Sequence, residues 1–175
     1  MGGILRNCYI DVWKSWKIRG SNMIKNIMKD IFISFSTKDL DTCRSVCRWL
    51  GSNGLTYWVY FDHKSDNYHE KIYKGIKNCK HCILLISDNS MNSQDIAFEL
   101  GVVTREENKK RGMTIFPVYI DEIKNKEKEK SILSYSTSIK DSYNWKVRSD
   151  REKLFMGIAQ KINIRVTRKA AENIN

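Results

Sequence analysis

Four short runs of apolar residues recur along the chain, separated by more polar segments of helical length. Each run is rich in β-branched and aromatic residues and is apolar on both faces, which is typical of strands covered on both sides, as in a parallel sheet. The runs span residues 31–35, 57–61, 82–86 and 114–120. Pro117 lies in the fourth run, where a proline counts against a fully hydrogen-bonded central strand. We predict a strand there all the same.

The segments between these runs have the periodicity of helices that bury one face. The predicted helices cover residues 40–50, 68–77, 96–107 and 151–162. A short fifth strand is predicted near 138–140, ahead of the last helix. Because strands and helices alternate, the pattern predicts a right-handed, doubly wound α/β fold around a parallel sheet.

Composition narrows the class of protein. The 175 residues, 41% of them hydrophobic and 29% charged, are ordinary for one soluble globular domain. No apolar run approaches the ~18 residues of a membrane span, and the N-terminus has no continuous apolar stretch of a secretory signal. Five cysteines without framework spacing fit a reducing compartment better than a disulfide scaffold. We therefore predict a cytoplasmic protein that does not associate with membranes.

The net charge of +11 raises the question of nucleic-acid binding. Residues 1–29 contain six lysines and arginines against Asp11, whereas bases and acids alternate in the body of the chain, as in 124–130. No DNA- or RNA-binding motif accompanies the charge, so nucleic acid is not an expected partner. A diffuse basic surface can attract a phosphorylated ligand, and a generally lysine-rich protein explains the charge at least as well.

Glu99 has an unusual position in its predicted helix. At about 100° per residue, Glu99 falls on the side of Ile96 and Val103, whereas a solvated glutamate belongs on the opposite side. Most helical glutamates are merely solvated, but a carboxylate on an apolar face is costly unless it has a partner or a function. The start of this helix also follows the carboxyl end of a strand, where open parallel sheets bind ligands. Asp95, one turn earlier, suits the helix N-terminus electrostatically.

Other features of the sequence point to no chemistry. Cys79 and Cys82 form a lone CxxC that runs into a predicted strand, so we expect packed thiols and no metal site. The sequence contains no Gly-x-Ser-x-Gly elbow and no glycine-rich phosphate loop. A phosphate-accepting receiver domain has the same fold, but Phe35 and Ser36 stand where its acidic pair would be.

Three segments, in order, resemble the conserved boxes of Toll/interleukin-1 receptor (TIR) domains. Residues 30–39 (DIFISFSTKD) resemble the first box, an apolar strand that ends in an aromatic residue and a serine. Residues 93–100 (SQDIAFEL) resemble the family's Ser-x5-Glu-Leu stretch, and residues 115–119 (IFPVY) resemble its fourth strand, proline included. The similarity covers about residues 28–163 and implies a flavodoxin-like, three-layer α/β sandwich with a five-stranded parallel sheet.

The chain resembles TIR domains of the NAD-cleaving kind found in bacteria, and this resemblance implies a catalytic role for Glu99. Its carboxylate would bind the hydroxyls of the nicotinamide ribose and stabilise the oxocarbenium-like transition state as the glycosidic bond breaks. Nicotinamide leaves from a cationic state and needs no strong general acid. NAD+ is then the substrate and no cofactor is expected. Attack by water gives ADP-ribose, whereas internal attack gives a cyclic ADP-ribose isomer.

The same resemblance implies substrate-binding roles for residues that follow the strands. Lys38 is a candidate for contacting the pyrophosphate, and Tyr68 for stacking on a ring of the substrate. Two positions depart from the bacterial pattern, because His69 replaces a glycine and Asp95 replaces a tryptophan, which leaves the product open. The predicted substrate-binding residues are Phe35, Ser36, Lys38, Asp62, Tyr68, His69, Ser93 and Asp95.

The resemblance also implies partners. Neighbouring copies would complete one another's pockets in a homo-oligomer, within a stand-alone TIR protein of an anti-phage defence system such as Thoeris, where a downstream effector senses the nucleotide product. The predicted organisation is an extension at 1–27 that is amphipathic or disordered, the TIR domain at 28–163 and a tail at 164–175. The alternative is a non-catalytic adaptor, since fold does not settle function. A Glu99 neutralised by a basic partner and closed to the surface would favour that adaptor.

Overall fold

A parallel sheet forms the centre of the molecule in the computed structural model, which describes residues 29–61, 67–106, 113–134, 139 and 141–162. The strands are β1 (Lys29–Ser34), β2 (Tyr57–Trp58), β3 (Cys79–Ile86), β4 (Ile115–Tyr119) and β5 (Tyr143–Asn144). They are all parallel and lie in the order β2-β1-β3-β4-β5. The predicted flavodoxin-like α/β fold is therefore confirmed.

Helices connect the strands and cover both faces of the sheet. Those in the described residues are α1 (Leu40–Ser52), α2 (Tyr68–Lys77), α3 (Asp88–Met91), α4 (Gln94–Glu106), α5 (Lys126–Leu133) and α6 (Arg148–Ile162), with a 3-10 turn at Thr37–Asp39. The four predicted helices are confirmed to within three residues at each end. The sequence analysis missed α3 and α5, whose starts are set by the side-chain caps of Ser87 and Asn125 rather than by apolar periodicity.

Alternating side chains of the strands build two cores, one on each face of the sheet. Ile33 of β1 and Ile83 of β3 belong to the cluster that includes α1 and α6. Phe32 of β1 and Leu84 of β3 belong to the cluster that includes α2 and α4. Both faces of the central strands are thus buried, as their doubly apolar runs predict.

Pro117 is compatible with β4 because of the direction in which its missing N–H would point. The backbone N–H of Ile120 donates to the carbonyl of Ile86 at 3.0 Å, so alternate residues of β4 donate toward β3. The position of Pro117 faces the other side, where β5 pairs only with Val118 and Tyr119. The proline therefore stands at the start of a short edge pairing.

Three strands differ from their predicted bounds by three residues or more. β3 begins at Cys79 rather than at 82, because Cys79 and His81 pair with β1 although Lys80 and His81 interrupt the apolar run. The predicted strand 57–61 is paired over only two residues, because β1 offers β2 only Ile31 and Phe32 as partners. The fifth strand lies at Tyr143–Asn144, not at 138–140, of which 138 and 140 lie outside the described residues. Tyr143 is the one buried residue of β5, so no apolar run marks this strand. The predicted extension (1–27) and tail (164–175) also lie outside the described residues.

Candidate active site

Glu99 lies in the second turn of α4, on the face that packs against the sheet. Only 3% of the residue is exposed, and its neighbours Ile96, Leu100 and Val103 belong to the hydrophobic core. The apolar position that the sequence predicts for Glu99 is therefore confirmed. A buried carboxyl needs hydrogen-bond partners, which the structure supplies from two other elements.

Two hydroxyl groups donate to the Glu99 carboxylate, one to each oxygen. Ser34 Oγ, at the carboxyl end of β1, donates to Oε2 at 2.5 Å. Tyr68 Oη, from the first residue of α2, donates to Oε1 at 2.9 Å. Both donors are themselves buried. Three elements thus meet at Glu99, at the edge of the sheet where open parallel sheets bind ligands.

The protonation of Glu99 is poised near neutral pH. Burial raises the pKa of Glu99 to about 7; the hydrogen bonds from Ser34 and Tyr68 work in the opposite direction, and the negative charge of Asp95 adds to the increase. Among the described residues, no lysine, arginine or histidine pairs with this carboxyl. Its charge therefore depends on its burial, on the two hydroxyl donors and on Asp95.

Tyr68 stays a hydrogen-bond donor over the neutral pH range. Burial, the charge of Glu99 and the hydrogen bond to Glu99 all raise the pKa of the Tyr68 phenol. Its ring lies 5.7 Å from the ring of Tyr60 and 5.4 Å from that of His69, measured between centroids. The sequence analysis predicted a role only for the ring of Tyr68, which was expected to stack on a substrate. The structure shows that its hydroxyl also has a specific partner, Glu99.

Aromatic rings line the approach from β2 to Glu99. Trp58 stacks on Tyr60 with centroids 5.9 Å apart, and Tyr60 contacts Tyr68 in turn. On the neighbouring side, the exposed His69 meets Phe98 edge-on at 4.3 Å. Tyr60 and Phe98 were missed as site residues, although each stands within a residue or two of a predicted one.

The predicted residues of the first loop are not all near Glu99. Phe35 is buried in the core on the other face of the sheet, where its ring meets Phe61 edge-on at 5.7 Å. Ser36 caps the 3-10 turn, since its hydroxyl accepts a hydrogen bond from the backbone N–H of Lys38 at 3.4 Å. Lys38 is exposed. The strand's alternation explains Phe35: it must point away from the face that Ser34 shares with Glu99.

The remaining predicted residues have the following places. Ser93 caps α4, with its hydroxyl accepting from the N–H of Ile96 at 3.4 Å. Asp95, half-buried in the first turn of α4, raises the pKa of both Glu99 and Tyr68 through its charge. Asp62 lies outside the described residues.

Asp39 ties the first loop to the loop after β3. Ser87 Oγ donates to Asp39 Oδ2 at 2.5 Å, and Asn89 Nδ2 donates to Asp39 Oδ1 at 2.7 Å. These bonds hold the carboxyl ends of β1 and β3 together at the point where the order of the strands changes direction. The sequence analysis included Asp39 only as the last residue of the segment that resembles the first TIR box.

A separate cavity of about 660 Å3 lies at the ends of β4 and β5. Its lining residues are Tyr119, Asp121, Glu122, Ile123, Lys126, Glu129, Ser142, Tyr143, Asn144, Lys146 and Asp150. None of the predicted site residues borders it.

In the part of the chain that the structure describes, no group of His, Cys, Asp and Glu is arranged to hold a metal ion, and Cys79 and Cys82 are buried free thiols. No helix there is long and apolar enough to cross a membrane.

Comparison with known proteins places the fold in a family. The TIR domain of the Toll-related receptor TRR-2 from Hydra magnipapillata is similar, with a TM-score of 0.56 and 14% identity over 75% of this chain and 98% of that one. The TIR domains of the activated Roq1 resistosome, which recognises the pathogen effector XopQ, give a TM-score of 0.49 and 17% identity over 78% and 85%. No curated protein matches. A sequence model described as "TIR domain" matches residues 31–154, more than half of the chain. The chain therefore belongs to the TIR domain family.

Proposed function

We propose that this TIR domain cleaves the bond between nicotinamide and ribose in NAD+, with Glu99 as the catalytic carboxylate. TIR domains include both NAD-cleaving enzymes and adaptors, so the family alone does not decide between them. The observation that carries the proposal is that two neutral hydroxyl groups bond to the Glu99 carboxylate and that no basic side chain among the described residues neutralises it.

The chemistry asks for a negative charge beside a developing positive one. As the glycosidic bond breaks, its electron pair leaves with nicotinamide, which becomes neutral, and positive charge spreads over the ribose ring. An ionised Glu99 in a site with little water stabilises that charge more than it would in bulk solvent. Attack on the ribose by water, which loses a proton, gives ADP-ribose, and attack by a nucleophilic atom of the substrate itself, again with loss of a proton, gives a cyclic isomer.

The pKa of Glu99 suits this role. At about 7, the carboxyl is partly ionised at neutral pH before the substrate binds. The positive nicotinamide ring of NAD+ favours the ionised form when it approaches, because opposite charges attract strongly where water is scarce. Substrate binding and ionisation of Glu99 therefore assist each other. A stable ion pair with a lysine or arginine would oppose this, since it would neutralise the charge that the transition state needs.

Assembly is part of the proposal. TIR domains commonly self-associate, and Glu99 is closed to the surface in the single chain. We infer that contact between copies opens the region around Tyr68, one of the two donors to the Glu99 carboxylate. The product would then act as a signal to a downstream effector, as expected for an anti-phage defence protein.

The adaptor remains the alternative function, and one observation favours it. Glu99 is only 3% exposed, so it meets one of the two conditions that would indicate an adaptor, closure to the surface. The other condition, a basic partner that neutralises the carboxyl, is not met in the described residues. A purely structural glutamate in this position would stabilise the fold through its two hydrogen bonds and would have no effect on NAD+.

The test is NAD+ consumption by the purified full-length chain at high protein concentration and with crowding agents. The wild type is compared with Glu99→Ala and with a matched control, Glu129→Ala. Glu129 also accepts a hydrogen bond from a tyrosine, Tyr119, but lies on α5 and bonds to the last residue of β4. Chromatography separates nicotinamide, ADP-ribose and cyclic products.

Loss of NAD+ in the wild type and in Glu129→Ala, but not in Glu99→Ala, supports the proposed enzyme. The identity of the product then separates hydrolysis from cyclisation. No turnover in any folded variant, under conditions in which the chain self-associates, refutes the enzyme and leaves the adaptor. Equal turnover in Glu99→Ala and the wild type would also refute Glu99 as the catalytic group.

A further inference from the structure

Ser34 is a polar residue in a strand that is otherwise apolar at its centre. It follows Ile31, Phe32 and Ile33, and none of its surface is exposed. A hydroxyl in such a place is costly to bury unless it has a partner. Its partner is Oε2 of Glu99, which is 65 residues away in the sequence.

The position of Ser34 is fixed by the sheet. Its backbone is paired in register with Leu84 of β3, in the middle of the sheet. Tyr68, the other donor to Glu99, is instead the first residue of α2. A residue on a central strand varies less in position than one at the end of a helix, because hydrogen bonds to a neighbouring strand hold its backbone in place. Of the two donors to the carboxylate, Ser34 is therefore the one whose backbone is held by the sheet.

The two hydroxyls leave acceptor capacity on Glu99. Each oxygen of an ionised carboxylate has about two lone-pair positions. Ser34 uses one on Oε2 and Tyr68 uses one on Oε1, so one position remains on each oxygen. Two hydroxyls on adjacent ring carbons could occupy both at once, provided that the plane of the carboxylate is held. The bond from Ser34 restrains Oε2 from the side of the sheet and so helps to hold that plane.

We propose that Ser34 is a positioning residue for the cleavage reaction, whose hydroxyl fixes the plane of the Glu99 carboxylate and favours its ionised form. This inference rests on the proposed function of Glu99. Ser34 itself touches no substrate atom, because it lies beneath the carboxylate and is fully buried. It acts on the reaction only through Glu99.

The test compares Ser34→Ala with Ser34→Cys, which keeps a side chain of similar size and a weaker donor. Removal of a hydrogen bond to a charged group favours the neutral acid, so the acid limb of kcat/KM should move to higher pH by about one unit or more in Ser34→Ala. Ser34→Cys should give a smaller shift in the same direction. Near neutral pH, kcat/KM of Ser34→Ala should fall about tenfold, with partial recovery at higher pH.

Ser87→Ala is the matched control. Ser87 follows β3, next to β1, is buried, and donates its hydroxyl to a carboxylate, that of Asp39. Its removal also takes away the cap of α3, so it should cost at least as much stability as Ser34→Ala but should leave the acid limb of kcat/KM in place. A loss of activity through general damage to this edge of the sheet would appear in both serine variants alike.

The midpoint of Glu99 ionisation is also measured without any turnover, by 13C NMR of the glutamate carboxyl carbons, with Glu99→Gln used to assign the signal. This separates the two hypotheses: if the wild type does not cleave NAD+, the proposed function fails and the role of Ser34 in cleavage fails with it, whereas a higher midpoint in Ser34→Ala and a smaller increase in Ser34→Cys still show that Ser34 favours the ionised form of Glu99. An unchanged midpoint in both variants, or an equal shift in Ser87→Ala, overturns it.

Discussion

Tyr68 and Glu99 are joined by a hydrogen bond of 2.9 Å from Tyr68 Oη to Glu99 Oε1, between the first turn of α2 and the second turn of α4. The ring of Tyr68 meanwhile contacts Tyr60. The sequence predicts Tyr68 as a flat surface for the substrate, whereas the structure gives its hydroxyl a partner in the site. The two parts of the side chain can therefore be tested separately.

Tyr68→Phe removes the hydroxyl and keeps the ring. Without this donor the neutral acid is favoured, so the pKa of Glu99 should rise above about 7 and kcat/KM near neutral pH should fall about tenfold. Steady-state kinetics over a range of pH measure both effects. Unchanged rates and an unchanged pH profile would mean that Tyr68 acts only through its ring, and Tyr68→Ala would then be the damaging variant.

The wild type should lose NAD-cleaving activity as the pH falls through about 7. The ionised carboxylate is the active form, and kcat/KM reports the pKa of the free enzyme, so its acid limb should lie close to that of Glu99. Bound NAD+ brings a positive charge that stabilises the carboxylate, so the limb of kcat should lie at lower pH. Rates that stay level from about pH 5 to about pH 9 would contradict an ionised Glu99 as the active group.

Glu99 should also make stability depend on pH. Its pKa in the folded chain, about 7, is above the ordinary value of 4.5, so between these values the folded state holds a proton that the unfolded state has released. The free energy of unfolding therefore falls as the pH rises through this window, by roughly 3 kcal/mol at most. Below 4.5 both states are protonated and the loss is absent.

Glu99→Gln removes this titration. Relative to the wild type, the variant should gain stability as the pH rises from 4.5 to about 7, and the difference should be constant above that range. Urea unfolding at several pH values measures it, with Glu127→Gln, at an exposed position of α5, as the baseline for a lost surface carboxyl. A difference that does not vary with pH would mean that the Glu99 carboxyl ionises normally.

Most of the fold could be predicted because its strands carry strong local signals. Residues 82–86 of β3 form a continuous apolar run, and the buried residues of α2 recur with helical spacing from Tyr68 to Ile76. β5 could not be placed, since Tyr143 alone is buried there and pairing with Val118, far along the chain, defines the strand. Weakly apolar edge strands depend on tertiary contacts that no local pattern records.

The site was predictable where burial contradicts polarity. Glu99 stood out because an acid occupies the apolar face of its helix, and Ser34 carries the same kind of signal, as a hydroxyl in a strand that is apolar on both faces. Ser34 was missed because a serine near a strand end is common. Phe35 was assigned to the site from the resemblance, although alternation along β1 turns it to the opposite face of the sheet. Which of two adjacent residues faces a ligand depends on the register.

Gly75 of α2 leaves room for the ring of Trp58. This contact supports the aromatic rings beside the site, since Trp58 stacks on Tyr60 and Tyr60 contacts Tyr68. A Cβ atom at Gly75 would lie 2.4 Å from the Trp58 ring, which cannot retreat easily because Phe32 and Tyr60 contact it, with centroids 5.6 and 5.9 Å away. Gly75→Ala should therefore destabilise the protein by about 1–3 kcal/mol and change its tryptophan fluorescence. Gly101→Ala is the control.

Gly101 is an exposed residue in the interior of α4, and a Cβ there would meet nothing within 4 Å. Alanine has the higher helix propensity, so Gly101→Ala should stabilise the protein by up to about 1 kcal/mol. Thermal unfolding of both variants gives the comparison, since at this chain length each kcal/mol moves Tm by about 2–4 °C. Opposite shifts are expected, because the same methyl group meets a fixed ring at Gly75 and open solvent at Gly101. A stabilised Gly75→Ala would show that Trp58 does not pack on that helix. The series of ring contacts from Trp58 through Tyr60 to Tyr68 would then not begin at Trp58.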